Sequence, residues 1–133
     1  MVSQQIRPRR RADAFTLIEM LVVLSIIALL ISIAVPRYFL GVQRARESSL
    51  RTSLNVMRDA IDKFAADQGR YPSDLGELVD HRYLKVVPKD PITGHSDWSV
   101  MPPSDDSFYQ GGVMDVKTQA QGTGSDGTDY ANW

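Results

Sequence analysis

Few side chains in this sequence have the type and placement to do chemistry. Glu19 is the single charge in Phe15–Val35, FTLIEMLVVLSIIALLISIAV, an otherwise uncharged run of 21 residues. Within a membrane-spanning helix a carboxylate costs on the order of 2.5–3.5 kcal/mol, so it needs a counter-charge or a route to the headgroups. A second concentration of polar atoms closes the sequence. Asp126-Gly127-Thr128-Asp129-Tyr130-Ala131-Asn132-Trp133 offers carboxylates, hydroxyls and free carbonyls, the donors that a hard cation such as calcium takes about six to eight at a time. Catalytic groupings are missing from the pattern. His81 and His95 are the only histidines, and cysteine is absent. Neither a zinc-binding His/Cys spacing nor a phosphate-cradling Gly-rich loop occurs. Asp105 and Asp106 fall in a polar loop and are assigned no chemistry. No enzymatic activity is expected.

The element that positions Glu19 is a helix. At about 1.5 Å per residue, Phe15–Val35 covers roughly 30 Å, the thickness of a bilayer's hydrocarbon core. Lipid leaves backbone polar groups unsatisfied unless they pair internally, so the run is helical there. Arg7, Arg9, Arg10 and Arg11 crowd its N-terminal side. The positive-inside rule then keeps the N-terminus in the cytoplasm and sends the remainder across. Two readings of Glu19 stand side by side. It lies near the cytoplasmic end and snorkels to the headgroups, or it meets a cation that this span does not contain. Such a cation comes from another subunit or from a new N-terminus made by cleavage. A competing cut follows Ser32-Ile33-Ala34, a small-x-small tripeptide of the kind that ends a secretory signal peptide. Cleavage there releases a domain starting at Val35. Against it stand Glu19 and an apolar stretch longer than the usual signal core.

Beyond the span, 133 residues leave room for one compact domain. Residues 1–14 carry four arginines and Asp13, and without them 11 basic and 15 acidic residues remain, a net charge of −4. That balance argues against nucleic acid as the partner of the exported part, since phosphate binding needs a basic face. The absence of cysteine removes disulfides as a means of holding a small exported domain together.

Pro36 follows the apolar run at once, and a kink or a local melting of the helix is expected there, with Gly41 as a second weak point. Leu50, Leu54, Met57, Ile61 and Phe64 then recur at spacings of four, three, four and three, one apolar face of a helix packed on the domain's own sheet. Gly69 and Pro72 stop it. The whole reads as one helix from Phe15 to about Gln68. Ser73 or Asp74 caps a short helix carrying Leu75, Leu78 and Val79. Lys89–Gly94 is turn chemistry. Trp98–Met101 and Gly112–Lys117 read as two short strands around a polar loop. The tail, Gln119–Trp133, has the composition of a disordered end, yet Tyr130 and Trp133 give it something to bury against the domain.

Arg11-Ala12-Asp13-Ala14-Phe15-Thr16-Leu17-Ile18-Glu19 before an apolar run resembles the processing site of type IV prepilins and type II secretion pseudopilins. Tyr71-Pro72 after Gly69, with Leu75, is similar to that family's G-x-Y-P-x-x-L junction, and Asp90-Pro91-Ile92-Thr93-Gly94 to the D-P-x-x-G that precedes the sheet in major pseudopilins. The resemblance implies an α+β pilin-like fold: a long N-terminal transmembrane and amphipathic helix packed on a small antiparallel β-sheet, with a C-terminal loop. It divides the chain into a cleaved cytoplasmic leader (1–14), a transmembrane and filament-core segment (15–35) and a periplasmic domain (36–133). Prepilin peptidase is expected to cut between Ala14 and Phe15, and the new Phe15 amine to be N-methylated. Ala14 departs from the Gly usual before the cut, which implies slower processing. Glu19, the fifth mature residue, is expected to pair with a neighbouring subunit's N-terminus. Pro36 falls where the family's helix is commonly unwound in filaments. The resemblance also implies structural calcium in the C-terminal loop, with Asp126 and Asp129 at the acidic positions and Ser125 as a further ligand. The longer Gly/Glu-rich insert of the family's loop is absent, so that direct hydrogen bonding is the alternative to a metal.

The function so implied is that of a structural subunit of a type II secretion pseudopilus. Such subunits collect in the bacterial inner membrane and polymerise into a homo-oligomeric periplasmic filament. Its partners are minor pseudopilins, prepilin peptidase and an inner-membrane assembly platform with its ATPase. A type IV pilus subunit for adhesion, motility or DNA uptake is the rival within the family. Outside it stands a single-span anchored binding module, for which no cut at Phe15 and indifference to Glu19→Ala are expected.

Overall fold

A computed structural model of the chain describes residues 14–133. The basic leader, with Arg7, Arg9, Arg10, Arg11 and Asp13, lies outside the described residues apart from Ala14. The architecture is α+β. Helix α1 (Leu17–Gln68) is followed by the short α2 (Leu75–Asp80), strands β1 (Ser99–Met101) and β2 (Asp115–Lys117), and a 3-10 turn at Tyr130–Asn132. Two compact units divide the chain, Met1–Tyr38 and Phe39–Trp133, and α1 contributes to both.

In the first unit every residue from 14 to 38 is exposed in the isolated chain. The apolar stretch of α1 is long enough to cross a membrane and buries none of its side chains against protein. A helix that is hydrophobic all round needs lipid or other helices for solvent. Pro36 lies inside α1, which runs as one helix through it, as the sequence reading of a single helix to about Gln68 has it. A proline at this position removes a single bond, the one that the Ser32 carbonyl would have accepted, and the turns on either side are otherwise complete. The chain therefore keeps its helix at Pro36 with one backbone hydrogen bond fewer in the turn before it.

The second unit is built on the apolar face of α1. Leu50, Leu54, Met57, Ala60, Ile61, Phe64 and Ala65 are buried, packed with Leu75, Leu78, Leu84, Trp98, Val113, Val116, Ala120 and Tyr130. Gly69 ends the helix with φ 70°, a left-handed conformation that favours glycine, and its N–H donates to the Ala65 carbonyl at 2.9 Å. Asp74 caps α2 by accepting from the Glu77 N–H at 3.0 Å, while Glu77 reaches back to the Ser73 N–H at 2.6 Å. This reciprocal pairing satisfies donors that the first turn leaves orphaned.

Strands β1 and β2 run antiparallel with Ser99 opposite Lys117, Val100 opposite Val116 and Met101 opposite Asp115. All three β1 residues are exposed, and Val116 is the one fully buried side chain of the sheet. At roughly 1.5–3 kcal/mol for each large buried side chain, the face of α1 outweighs the sheet as the source of cohesion. Both strands are shorter than the sequence suggests. Trp98 turns into the core and donates its indole N–H to the Pro88 carbonyl at 2.9 Å. Val113 gives its N–H to the Pro72 carbonyl at 2.7 Å instead of to a strand.

The Asp90–Gly94 turn is held from inside. Asp90 is 1% exposed. Its Oδ1 accepts from the N–H groups of Ile92 and Thr93 at 2.7 and 3.2 Å, and its other oxygen accepts from the Thr118 hydroxyl. A buried carboxylate satisfied in this way fixes the turn to the segment leading out of β2.

Candidate functional site

At the start of α1, Ala14 and Phe15 are exposed, as cleavage by a peptidase requires. Thr16 and Glu19 form a capping box. The Thr16 Oγ1 accepts from the Glu19 N–H at 3.2 Å, and the Glu19 Oε2 accepts from the Thr16 N–H at 3.4 Å. Thr16 is a residue that the sequence reading passed over, although T-x-x-E ahead of an apolar run is the signature of this cap. The arrangement bears on how Glu19 is tolerated. A carboxylate in the first turn sits at the positive end of the helix dipole, and here one of its oxygens covers a backbone donor that lipid would leave bare. Glu19 Oε1 accepts no hydrogen bond among the described residues and remains the place where an outside cation can be met.

The C-terminal loop is fastened to α1, not disordered. Thr123 bridges to Asp129, and Tyr130 is buried. Ser125 gives its N–H to Glu47 Oε1 at 3.0 Å and its hydroxyl to Glu47 Oε2. The same carboxylate accepts from Gln43 Nε2 at 3.1 Å and from the Tyr130 hydroxyl at 3.0 Å. Glu47 is only 4% exposed. Burial raises its pKa, but the bonds from Ser125, Gln43 and Tyr130 outweigh it and leave the carboxyl below its ordinary value. Tyr130 moves the other way: burial and then the neighbouring Glu47 charge push its hydroxyl up.

One turn further along α1, Arg51 forms an ion pair with Asp126. Its guanidinium carbon lies 4.0 Å from the centroid of the Trp133 ring. Asp126 Oδ1 accepts from the Thr128 N–H and hydroxyl at 3.0 and 2.6 Å, and the Trp133 indole N–H donates to that hydroxyl at 2.6 Å. The Thr128 bonds first, then the Arg51 charge, hold the Asp126 carboxyl below its usual range. Arg58 gives its Nη2 to the carbonyls of Val116 and Trp133, both at 2.9 Å, and its Nε to Asp115 at 2.7 Å. Lys117 reaches the Ala131 carbonyl at 2.9 Å. Between α1 and the loop lies an open groove of about 680 Å³, lined by Arg51, Asn55, Arg58, Asp126, Asp129 and Trp133 among others.

The three residues offered for calcium lie close together in the loop, but each already has a protein partner. Ser125 donates to Glu47, Asp126 is divided between Arg51 and Thr128, and Asp129 Oδ1 accepts from the Thr123 hydroxyl at 3.0 Å. Among the described residues no three His, Cys, Asp or Glu side chains converge as metal ligands do. With two carboxylates, one of them against a guanidinium, the set does not fit a calcium ion in this arrangement. Glu47, Arg51 and Arg58 were not singled out from the sequence. A signal existed for Glu47, which stands three residues before Leu50 and extends the buried stripe by one step. The arginines flank that stripe and carry no such mark.

The histidines serve packing and turn geometry. The His81 ring meets Phe64 edge-on at 5.4 Å, while His95 gives its N–H to Thr93 Oγ1 at 3.3 Å.

Comparison with known proteins bears on both ends of the chain. Residues 9–35 match the family model described as the prokaryotic N-terminal methylation motif. The type II secretion system core protein G of Vibrio cholerae is 28% identical, over 93% of each chain. That of Aeromonas hydrophila is 29% identical over 62% of this chain and 69% of its own. The type IV major pilin protein PilA of Myxococcus xanthus is 34% identical over 53% of this chain and 31% of its own. No solved structure gives a significant match. A capped, apolar N-terminal helix bearing the methylation motif fits a single-pass inner-membrane anchor. The chain carries the N-terminal methylation motif and is similar, along nearly its whole length, to core protein G of type II secretion systems.

Proposed function

We propose that the chain is a structural subunit of a type II secretion pseudopilus. The observation that carries this reading is the extent of likeness: 93% of both chains for the Vibrio core protein G, against 53% of this chain for the Myxococcus pilin. Prepilin peptidase cuts after Ala14, and the amine so created at Phe15 is methylated. Subunits wait in the inner membrane with the domain in the periplasm. An assembly platform driven by a cytoplasmic ATPase lifts them into a filament with minor pseudopilins. The apolar helices leave lipid for a core as apolar as lipid, so the transfer itself costs little. Register comes from the one charge: Glu19 Oε1 takes the Phe15 amine of a neighbour, a buried pair kept for specificity more than for stability. The turn before Pro36, short of one hydrogen bond, is where α1 unwinds if packing demands it.

Intact-mass measurement of membrane-extracted protein from the native host tests the reading directly. A methylated chain starting at Phe15 is expected. An uncut chain, or one starting at Val35, overturns it. The pilus alternative is separated by phenotype: loss of the subunit abolishes protein export in one case, and surface fibres with their adhesion or motility in the other.

A further inference from the structure

The acidic loop at residues 125–133 resembles a calcium-binding loop in composition, but Ser125, both oxygens of Asp126 and Asp129 Oδ1 are already committed to protein partners. Its only acids are Asp126 and Asp129, and it contains no basic residue. The positive charge comes from outside. Arg51 places one guanidinium on Asp126 and on the face of Trp133 together, so a single cation fastens both ends of the Asp126–Trp133 segment. We propose that the Arg51 guanidinium is the built-in cation of this loop and that the domain folds without calcium.

Three features support the assignment. Arginine does not lose its proton in proteins, so a dication approaching Asp126 must displace the guanidinium or bear its repulsion at contact distance. The two oxygens of Asp126 are both committed, one to Arg51 and the other to the Thr128 N–H and hydroxyl. Two further acceptors of the loop are met by α1 and β2 side chains, with Arg58 on the Trp133 main-chain oxygen and Lys117 on the Ala131 carbonyl. The Ala131 carbonyl is the kind of neutral ligand that calcium recruits when carboxylates are few. Glu47, the buried acid beneath the loop, receives four donors and needs no counter-ion. The inference is independent of which filament system the subunit serves.

The test uses the full chain in detergent, followed by thermal unfolding and by limited proteolysis of the tail, with a calcium chelator and with added calcium. The wild type is expected to unfold at the same temperature in both. Arg51→Ala should release the tail, with cleavage about tenfold faster, the combined scale of a half-exposed ion pair and a cation–π contact. Arg51→Met keeps the stem over Trp133 while removing the charge, and should fall between the two. A wild-type melting temperature that drops in chelator or rises with calcium overturns the proposal. So does a tail equally protected in Arg51→Ala and wild type. If Arg51→Ala fails to fold, the calcium response of the wild type alone still decides.

Discussion

The Tyr130 hydroxyl donates to Glu47 Oε1 at 3.0 Å across 83 positions of sequence, joining the middle of α1 to the 3-10 turn near the end of the chain. Hydrogen bonds to a charged acceptor contribute about 1.5–3 kcal/mol, and this acceptor is shared with Ser125. Tyr130→Phe should cost about 1–2 kcal/mol, and Glu47→Ala about 2–3 kcal/mol because buried donors are left without a partner. Chemical denaturation of the two single variants and the double variant would measure the coupling. Strictly additive losses would show that the pair does not act as one unit.

The Glu77 carboxyl is pulled from an ordinary 4.5 to about 2, chiefly by Arg70 and then by the Ser73 N–H. A depressed folded-state pKa stabilises above the unfolded value, and that stabilisation is lost as pH falls through the folded one. The contribution of Glu77 is therefore complete above about pH 4.5 and gone near pH 2. Glu77→Gln should be less stable than wild type at neutral pH and converge on it in acid. Urea midpoints across that range would test this, and parallel pH curves would contradict it.

Gly112 occupies φ 66°, and a Cβ there would lie 1.9 Å from the Pro72 carbonyl oxygen, the acceptor of the Val113 N–H. Gly112→Ala should destabilise by more than about 3 kcal/mol, since rigid backbone stands in the way. Gly111, at φ 80° with open space around it, provides the comparison. Gly111→Ala carries only the left-handed penalty of about 1–2 kcal/mol. Denaturation midpoints of the two variants should rank them in that order.

At the N-terminus, Glu19→Ala should leave cleavage intact and abolish pelletable filaments, because the register charge is gone while the apolar helix remains. Ala14→Gly should quicken processing, seen as a shorter-lived precursor in pulse-chase. Filaments of normal yield from the Glu19 variant would remove the role proposed for that carboxylate.

Much of the fold was legible because local signals and global packing agree. The stripe from Leu50 to Phe64, the stop at Gly69 and the cap at Asp74 depend on neighbours within a turn or two, and all appear where the sequence places them. The strand ends did not, since Trp98 and Val113 leave the ladder for the Pro88 and Pro72 carbonyls. No local rule reports such partners. The clamp on the C-terminal loop was hidden for the same reason: Arg51 looks like any solvated helix charge until Asp126 is brought to it from 75 residues away.

The tie between Glu47 and residues 125–130 also governs when the domain can close. A chain that has formed α1 before residues 125–130 have docked carries an acid on its apolar face with Gln43 as its one donor of the four. Contacts of such long range form late and slowly. Closure of the domain therefore waits for residues 125–130, and until they dock the apolar face of α1 stays open.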